Sequence, residues 1–296
     1  MGRALAEAFA EARETFDEAD AAFGGSLSGL CFEGPEDQLT LTEHTQPAIL
    51  TVSTAAARVL ASRGVHPDIV AGHSLGEYSA HVAAGTFAFG DAVAVVRRRG
   101  RYMQEAVPLG YGAMAAILGL DAAAVRRACE EVADGQVVSP ANINSADQVV
   151  IAGATAAVQR AAERAKAFGA KRVVPLSVSA PFHCALMKPA EERLAPELRS
   201  LAVQHPRVPV VANVDGHPKH DAEAAIDALV RQVSSAVLWQ DVMQRLASAG
   251  VTTYVEVGPG RVLSGLARKI HKDATVLSFG DPGDLDPILA YARSAR

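Results

Sequence analysis

Apolar residues recur at helical spacing over residues 3–23 and 45–63, and Thr45-Gln46-Pro47 stands where the second helix opens. Proline suits that place, because a first-turn N–H has no intrahelical acceptor to lose. The short apolar run Ile69-Val70-Ala71 reads as a buried strand. A helix-compatible stretch follows at 77–84 with Gly85 as its C-cap, and another helix covers 91–105. Beyond Pro108 and the glycines at 110 and 112 the texture changes. Strands are predicted at 113–118, 137–143, 148–152 and 171–178, with helices at 121–132 and 155–168 between them. After this stretch, a run at 208–214, a helix at 222–234 and a run at 253–257 resume the earlier alternation. The last dozen residues read as loosely packed helix or tail. The pattern is α/β throughout, with a small insertion of order β-α-β-β-α-β at 111–179 inside a larger domain formed by 1–110 and 180–296.

The insertion has the ferredoxin-like order. Strand 69–71 and helix 77–84 of the larger domain flank Gly72-His73-Ser74-Leu75-Gly76, which fits G-x-S-x-G. Strand, tight turn and helix are the setting of a nucleophile elbow, which holds a serine on a strained turn at a helix N-terminus. This predicts an α/β-hydrolase-like core with a parallel sheet and Ser74 as nucleophile; the plainer reading is a glycine-rich turn whose serine caps the helix. A serine needs a base. His73, next to it in sequence, would point away from it on an elbow. His205, His217 and His220 gather with Asp215 and Asp221, but no ligand spacing there argues for metal, and a solvated loop is expected. His183 follows strand 171–178 in Ser179-Ala180-Pro181-Phe182-His183-Cys184, a placement suited to chemistry; on spacing alone it reads equally as base or as structural histidine. The run Arg97, Arg98, Arg99 and Arg101 reads by itself as a solvated face.

Composition narrows the classes. The 296 residues suffice for a large core, 49% of them are apolar, and the net charge of −5 with pI near 6.0 argues against nucleic acid as partner. Cys31, Cys129 and Cys184 are widely spaced and odd in number, as expected of reduced thiols; Cys184 is expected to be buried packing. No signal peptide and no apolar stretch of membrane-spanning length is present, so a cytoplasmic protein without membrane contact, working as a monomer, is expected.

Five segments in order carry a family resemblance: TQPAI at 45–49, GHSLGEYSAHVAAG at 72–85, RRRGRYMQEAVP at 97–108, SAPFHCALM at 179–187 and VGPGRVLSGL at 257–266. Together they resemble the malonyl-CoA:acyl-carrier-protein transacylases and the acyltransferase domains of fatty-acid and polyketide synthases. The resemblance runs from about residue 1 to residue 280. It implies Ser74 as the acyl-accepting nucleophile and His183 as its base. Arg99 is implied as the grip on the malonyl carboxylate, and Gln46 and Gln232 as active-site glutamines, the backbone carbonyl of Gln232 orienting the histidine in place of a triad acid. The N–H of Leu75 is implied as an oxyanion donor, and Met103 and Asn142, with Asn144 nearby, as residues beside the substrate. Phe182 resembles the bulky residue that accompanies malonyl over methyl-branched units. No metal and no cofactor is implied: the CoA thioester is substrate, and phosphopantetheine on the carrier is acceptor. Basic residues at 97–101, at Lys166, Lys171 and Arg172, and at Arg261, Arg268, Lys269 and Lys272 are candidate docking points for an acidic carrier protein.

One departure bears on activity. Members of this family begin with a strand and a Gly-Gln-Gly-Ser-Gln segment, which supplies a second oxyanion donor; no such segment occurs among these 296 residues. The expectation is that Met1 is an internal methionine and that the chain as written has weak or no activity. Two other readings stand beside the transacylase: a serine esterase or thioesterase, which wants an acid between Ser74 and His183 in sequence, and a carrier-binding protein without catalysis. Within the transacylases, another extender unit such as methylmalonyl stands as the alternative to malonyl.

Overall fold

The computed structural model describes residues 1–294. The first expected helix is two, Arg3–Ala8 and Ala10–Phe23, parted at Phe9, whose φ of −132° and ψ of 128° are extended. The second runs Thr42–Ser62, with Pro47 inside its first turns, and it buries an unbroken string from Gln46 to Ala48 and from Leu50 to Ala56. It packs on the helix Phe89–Glu105. The two helices approach closely at Gly100, where a Cβ would lie 2.5 Å from the carbonyl oxygen of Thr42 and 2.7 Å from the backbone of Glu43. Backbone cannot swing aside as a side chain can, so the residue at that crossing has to be glycine.

The inserted segment folds as an antiparallel sheet of four strands: β2 (Gly112–Leu118), β3 (Val138–Ser145), β4 (Gln148–Ala154) and β5 (Arg172–Pro175), after β1 (Val70–Ala71) of the larger part. Their order across the sheet is β3-β4-β2-β5. The helices Ala122–Val132 and Thr155–Ala167 lie on one face and share a core of their own with Ile117, Val149 and Ile151. The last strand is shorter than expected, ending at Pro175, although Leu176 still donates to the Met114 carbonyl of β2 at 3.0 Å.

The larger part holds β1, β6 (Val210–Val211), β7 (Pro218–Lys219), β8 (Thr253–Val257) and β9 (Thr275–Phe279). Strand β1 pairs parallel with β6, and β8 parallel with β9. The expected strand over 208–214 shrinks to two residues, because the chain turns back at once into β7, antiparallel to β6. The two parallel ladders are separate sheets, not one. Both nevertheless share a layer: Ile69 and Ala71 beside β6, and Tyr254 and Val276 from the other ladder, pack on one cluster built around Trp239, Met243 and Leu266. The final helix, Leu285–Ser294, is anchored by buried Leu285 and Ile288, tighter than a loose tail; the expectation for the last two residues lies outside the described residues. Among the described residues no helix is long and apolar enough to cross a membrane.

Candidate active site

The elbow is built as its glycines require. A Cβ on Gly72 would fall 1.9 Å from the main-chain carbon and oxygen of Gly76, so strand and helix can approach this closely only with glycine at 72. Gly76 itself has open space. Ser74 precedes the helix Leu75–Ala83 with φ 52° and ψ −108°, and His183 has φ 59°. Two of the three non-glycine residues with positive φ among those described are thus the expected nucleophile and base. Strain of about 1–3 kcal/mol at such a residue persists only where the surroundings hold it.

What holds Ser74 is a set of buried polar side chains. Its N–H donates to Oδ1 of Asn213 at 2.7 Å, and its carbonyl accepts from Nε2 of Gln232 at 3.0 Å. Its Oγ lies 2.7 Å from Nε2 of His183 and accepts from Nη2 of Arg99 at 3.2 Å. The other ring nitrogen of His183 meets the main-chain oxygen of Gln232 at 3.0 Å. A carbonyl oxygen only accepts, so Nδ1 carries the proton and Nε2 is the free acceptor facing the serine. Burial, and next the Arg99 cation, push the imidazole down to about 3, so it stands neutral. Among the described residues no carboxylate hydrogen-bonds it.

Arg99 is 1% exposed, against the solvated face that its arginine run suggests. Its Nη1 donates to Oε1 of Gln46 at 2.7 Å and its Nη2 to Oε1 of Gln232 at 2.9 Å, while the guanidinium carbon sits 5.3 Å from the centre of the Tyr78 ring. Its neighbours in sequence do face outward: Arg97 bonds the Phe23 carbonyl and Arg98 pairs with Glu197. Gln46 completes its shell with Thr42 Oγ1 at 3.0 Å and the Met103 sulfur at 3.9 Å. Met103 is buried in the core behind the site. The N–H of Leu75 opens the helix, where no intrahelical acceptor exists.

From the inserted part, Asn144 reaches the elbow: its Oδ1 meets Nε2 of His73 at 2.9 Å. Asn142 instead bridges β3 to Val237. His73 thus points away from the serine, as expected, against the Trp239 ring. Phe182 packs on both the main core and the cluster of Met114, Ala141 and Cys184. Cys31, Cys129 and Cys184 are free and buried. Asp215 and Lys219 pair in a half-buried turn from which His217 is exposed, and no group of three metal-ligating side chains exists among the described residues. Several candidate docking cations are paired within the chain: Lys269 with Asp147 and Arg261 with Asp284.

Residues 1–278 match the model of the acyl transferase domain family. A malonyl CoA-acyl carrier protein transacylase of Escherichia coli K12 is 51% identical over 279 residues, which are 94% of this chain and 90% of the relative. Its counterpart in Bacillus subtilis 168 is 45% identical over 97% of this chain and 90% of the relative. The chain belongs to the malonyl-CoA:acyl-carrier-protein transacylase family. A crystal structure of an acyl carrier protein S-malonyltransferase from Vibrio cholerae superposes on this transacylase fold with a TM-score of 0.95 at 46% identity, covering 97% of this chain and 94% of that one. A malonyl-transacylase solved in complex with a type II polyketide-synthase acyl-carrier protein gives 0.96 at 47% identity, covering 98% and 94%.

Two residues of this transacylase-family site were not anticipated from sequence. Asn213 lay inside what read as a strand, with nothing to mark it. Glu77 had a signal, a carboxylate in the first turn after the nucleophile, but it read as an ordinary N-terminal helix acid.

Proposed function

We propose that this chain is a malonyl-CoA:acyl-carrier-protein S-malonyltransferase working through an acyl-enzyme on Ser74. The observation that carries the reading is Arg99: a guanidinium buried within 3.2 Å of the nucleophilic oxygen, its Nη donors resting on neutral acceptors. A substrate carboxylate would replace those neutral oxygens with a charged one, and such bonds are about twice as strong. A plain esterase has no use for a cation there, and the base here leans on a carbonyl where a hydrolase triad has an acid.

In the first half-reaction His183 Nε2 takes the proton of Ser74 as Oγ adds to the thioester carbonyl, whose oxygen turns toward the N–H of Leu75. The C–S bond breaks, CoA leaves with the proton from His183, and malonyl remains as an ester. In the second, His183 removes the proton from the carrier's phosphopantetheine thiol. The sulfur attacks the ester, and Oγ leaves with that proton. A carboxylate on Arg99 also cancels the positive charge that holds the imidazole down, so malonyl would strengthen the base that acts on it. Gln46 and Phe182 would wall the acyl site with Met103 packed behind Gln46, while Asn144 ties the elbow to the inserted part. No cofactor is required: CoA thioester and carrier thiol are the two substrates.

In architecture the reading is an α/β-hydrolase-like domain at 1–110 and 180–296, and a ferredoxin-like one at 111–179 that supplies a wall of the cleft. The strand order β3-β4-β2-β5, antiparallel throughout, supports the second label. The test is intact-protein mass after mixing with malonyl-CoA. A malonyl adduct on the chain and none on Ser74→Ala is expected; an adduct that persists on Ser74→Ala refutes the nucleophile.

A further inference from the structure

Glu77 is fully buried beneath the elbow, and none of the roles above uses it. Its Oε2 accepts from two groups that serve the site, the main-chain N–H of Asn213 at 3.0 Å and the side-chain amide of Gln232 at 2.8 Å. Asn213 fixes the elbow from both sides, through Ser74 N–H and, with its own amide, the Gly72 carbonyl at 2.7 Å. Because a carboxylate only accepts, Glu77 holds the Gln232 amide with its nitrogen inward and its oxygen on Arg99. Nucleophile, base and cation are thus all tied, through one intermediary each, to this carboxylate.

Its other oxygen, Oε1, is buried with no hydrogen-bond partner, and so is Nε of Arg99. The titratable groups facing it come from four elements, and two of those groups are charged. Arg99, on the helix Phe89–Glu105, attracts; Asp215, in the turn after Asn213, repels and is itself held by Lys219 and Arg231. Tyr78, beside Glu77 on its own helix, is neutral, its phenol pushed up to about 12 by burial. His183, beyond Gln232, is neutral as well.

We propose that Glu77 is the resident counter-charge of Arg99 and a positioning residue for the substrate grip, balancing the guanidinium in the free protein and taking up a proton on Oε1 when a substrate carboxylate arrives. The inference rests on Arg99 being the malonyl grip. Two carboxylates around one buried guanidinium cannot both stay ionised without cost. The substrate carboxylate would hold the Nη donors directly, whereas Glu77 reaches Arg99 only through Gln232, so Glu77 yields. Protonation at the unpartnered Oε1 leaves both bonds to Oε2 intact, and the site keeps its shape. The group is poised for this: burial pushes its carboxyl up to about 7, against the lowering by Gln232, Asn213 and Arg99. Below that value the free protein already carries the proton. Above it, binding must draw one from solvent, and affinity for the dicarboxylic acyl group then falls with pH by up to about tenfold per unit.

The measurement is calorimetric titration of the Ser74→Ala protein, in which acyl transfer is blocked, with malonyl-CoA and with acetyl-CoA. It is made one pH unit above 7 in buffers of differing ionisation enthalpy. The two ligands share every CoA phosphate, so their difference isolates the carboxylate. Malonyl-CoA is expected to take up most of one proton more than acetyl-CoA, and adding Glu77→Gln should abolish that excess while both ligands still bind. Equal uptake by the two ligands overturns the inference without any change at Glu77, as does an excess that survives Glu77→Gln. Malonyl-CoA binding no tighter than acetyl-CoA would instead sink the Arg99 reading, and tighter binding with equal uptake would sink only the role of Glu77.

Discussion

The ring of His183 donates from Nδ1 to the main-chain oxygen of Gln232 at 3.0 Å, while the side chain of that same glutamine accepts from Arg99 at 2.9 Å. One residue therefore orients the base with its backbone and the cation with its amide. The two functions separate by mutation. Gln232→Ala keeps the carbonyl and loses the amide, so acetyl transfer to Ser74 should fall only by the worth of the amide's bond to the Ser74 carbonyl, about 2- to 10-fold. Malonyl transfer should fall about 10- to 100-fold, the worth of a bond to a charged group. Acylation rates with the two thioesters give the ratio, and an equal loss for both would contradict this division of labour.

Arg99 cannot be exchanged for lysine on grounds of charge alone. Its Nη1 and Nη2 reach Gln46, Gln232 and Ser74 at once, a fork that a single ammonium cannot reproduce. Arg99→Lys should lower kcat/KM for malonyl-CoA by about 10²-fold or more, the usual cost of disrupting a buried charge pair. The preference for malonyl over acetyl should collapse with it. A variant that retains that preference would remove Arg99 from the carboxylate site.

Local rules carried the sequence reading a long way. The elbow was legible because its chemistry is local: Gly72, Ser74 and the following helix lie within a dozen residues. The strands at 112–118 and 148–154 were legible because alternation and turn glycines bound them. What failed was whatever depends on distant partners. From its own residues Arg99 reads as part of a solvated run, and only the family resemblance singles it out, because its contacts with Gln46 and Gln232, 53 and 133 residues away, leave no periodic trace. The break at Phe9 and the hairpin from β6 to β7 are likewise set by packing, which overrode propensities favouring one helix and one longer strand. Asn213 and Glu77 are polar core residues, and their value lies in a network no linear pattern encodes.

Phe182 lies where the cores of the two parts meet, packing on both. If Phe182 walls the acyl site as proposed, a smaller side chain there opens room for a branch without altering the bonds of Arg99. Phe182→Ser should therefore raise acylation by methylmalonyl-CoA relative to malonyl-CoA by about 10- to 100-fold, the range for one methyl group in a pocket. Competition between the two thioesters, read by intact mass, measures it. An unchanged ratio would place the discriminating contact elsewhere.

Acid should unfold the protein earlier than its carboxylates alone would dictate, through His81. That ring is fully buried, its Nδ1 3.1 Å from Oγ1 of Thr86 and its Nε2 without a partner. Burial pushes it down to about 3, far below the 6.5 of the unfolded chain. A depressed group gives stability that is complete above its unfolded value and is lost as pH falls toward its folded one. Between those limits the unfolded state holds one proton more, so stability drops by about 1.4 kcal/mol per pH unit for this residue. His183, also near 3, adds the same sign. Glu77 opposes them: its raised carboxyl favours the folded state as pH falls through 7, but it is one group against two. Urea midpoints from pH 7 to pH 4.5 should therefore fall steeply in the parent protein and less steeply in His81→Gln, even if the variant is weaker at neutral pH. Parallel curves for the two proteins would show that His81 binds its proton equally in both states, and the acid limb would need another source.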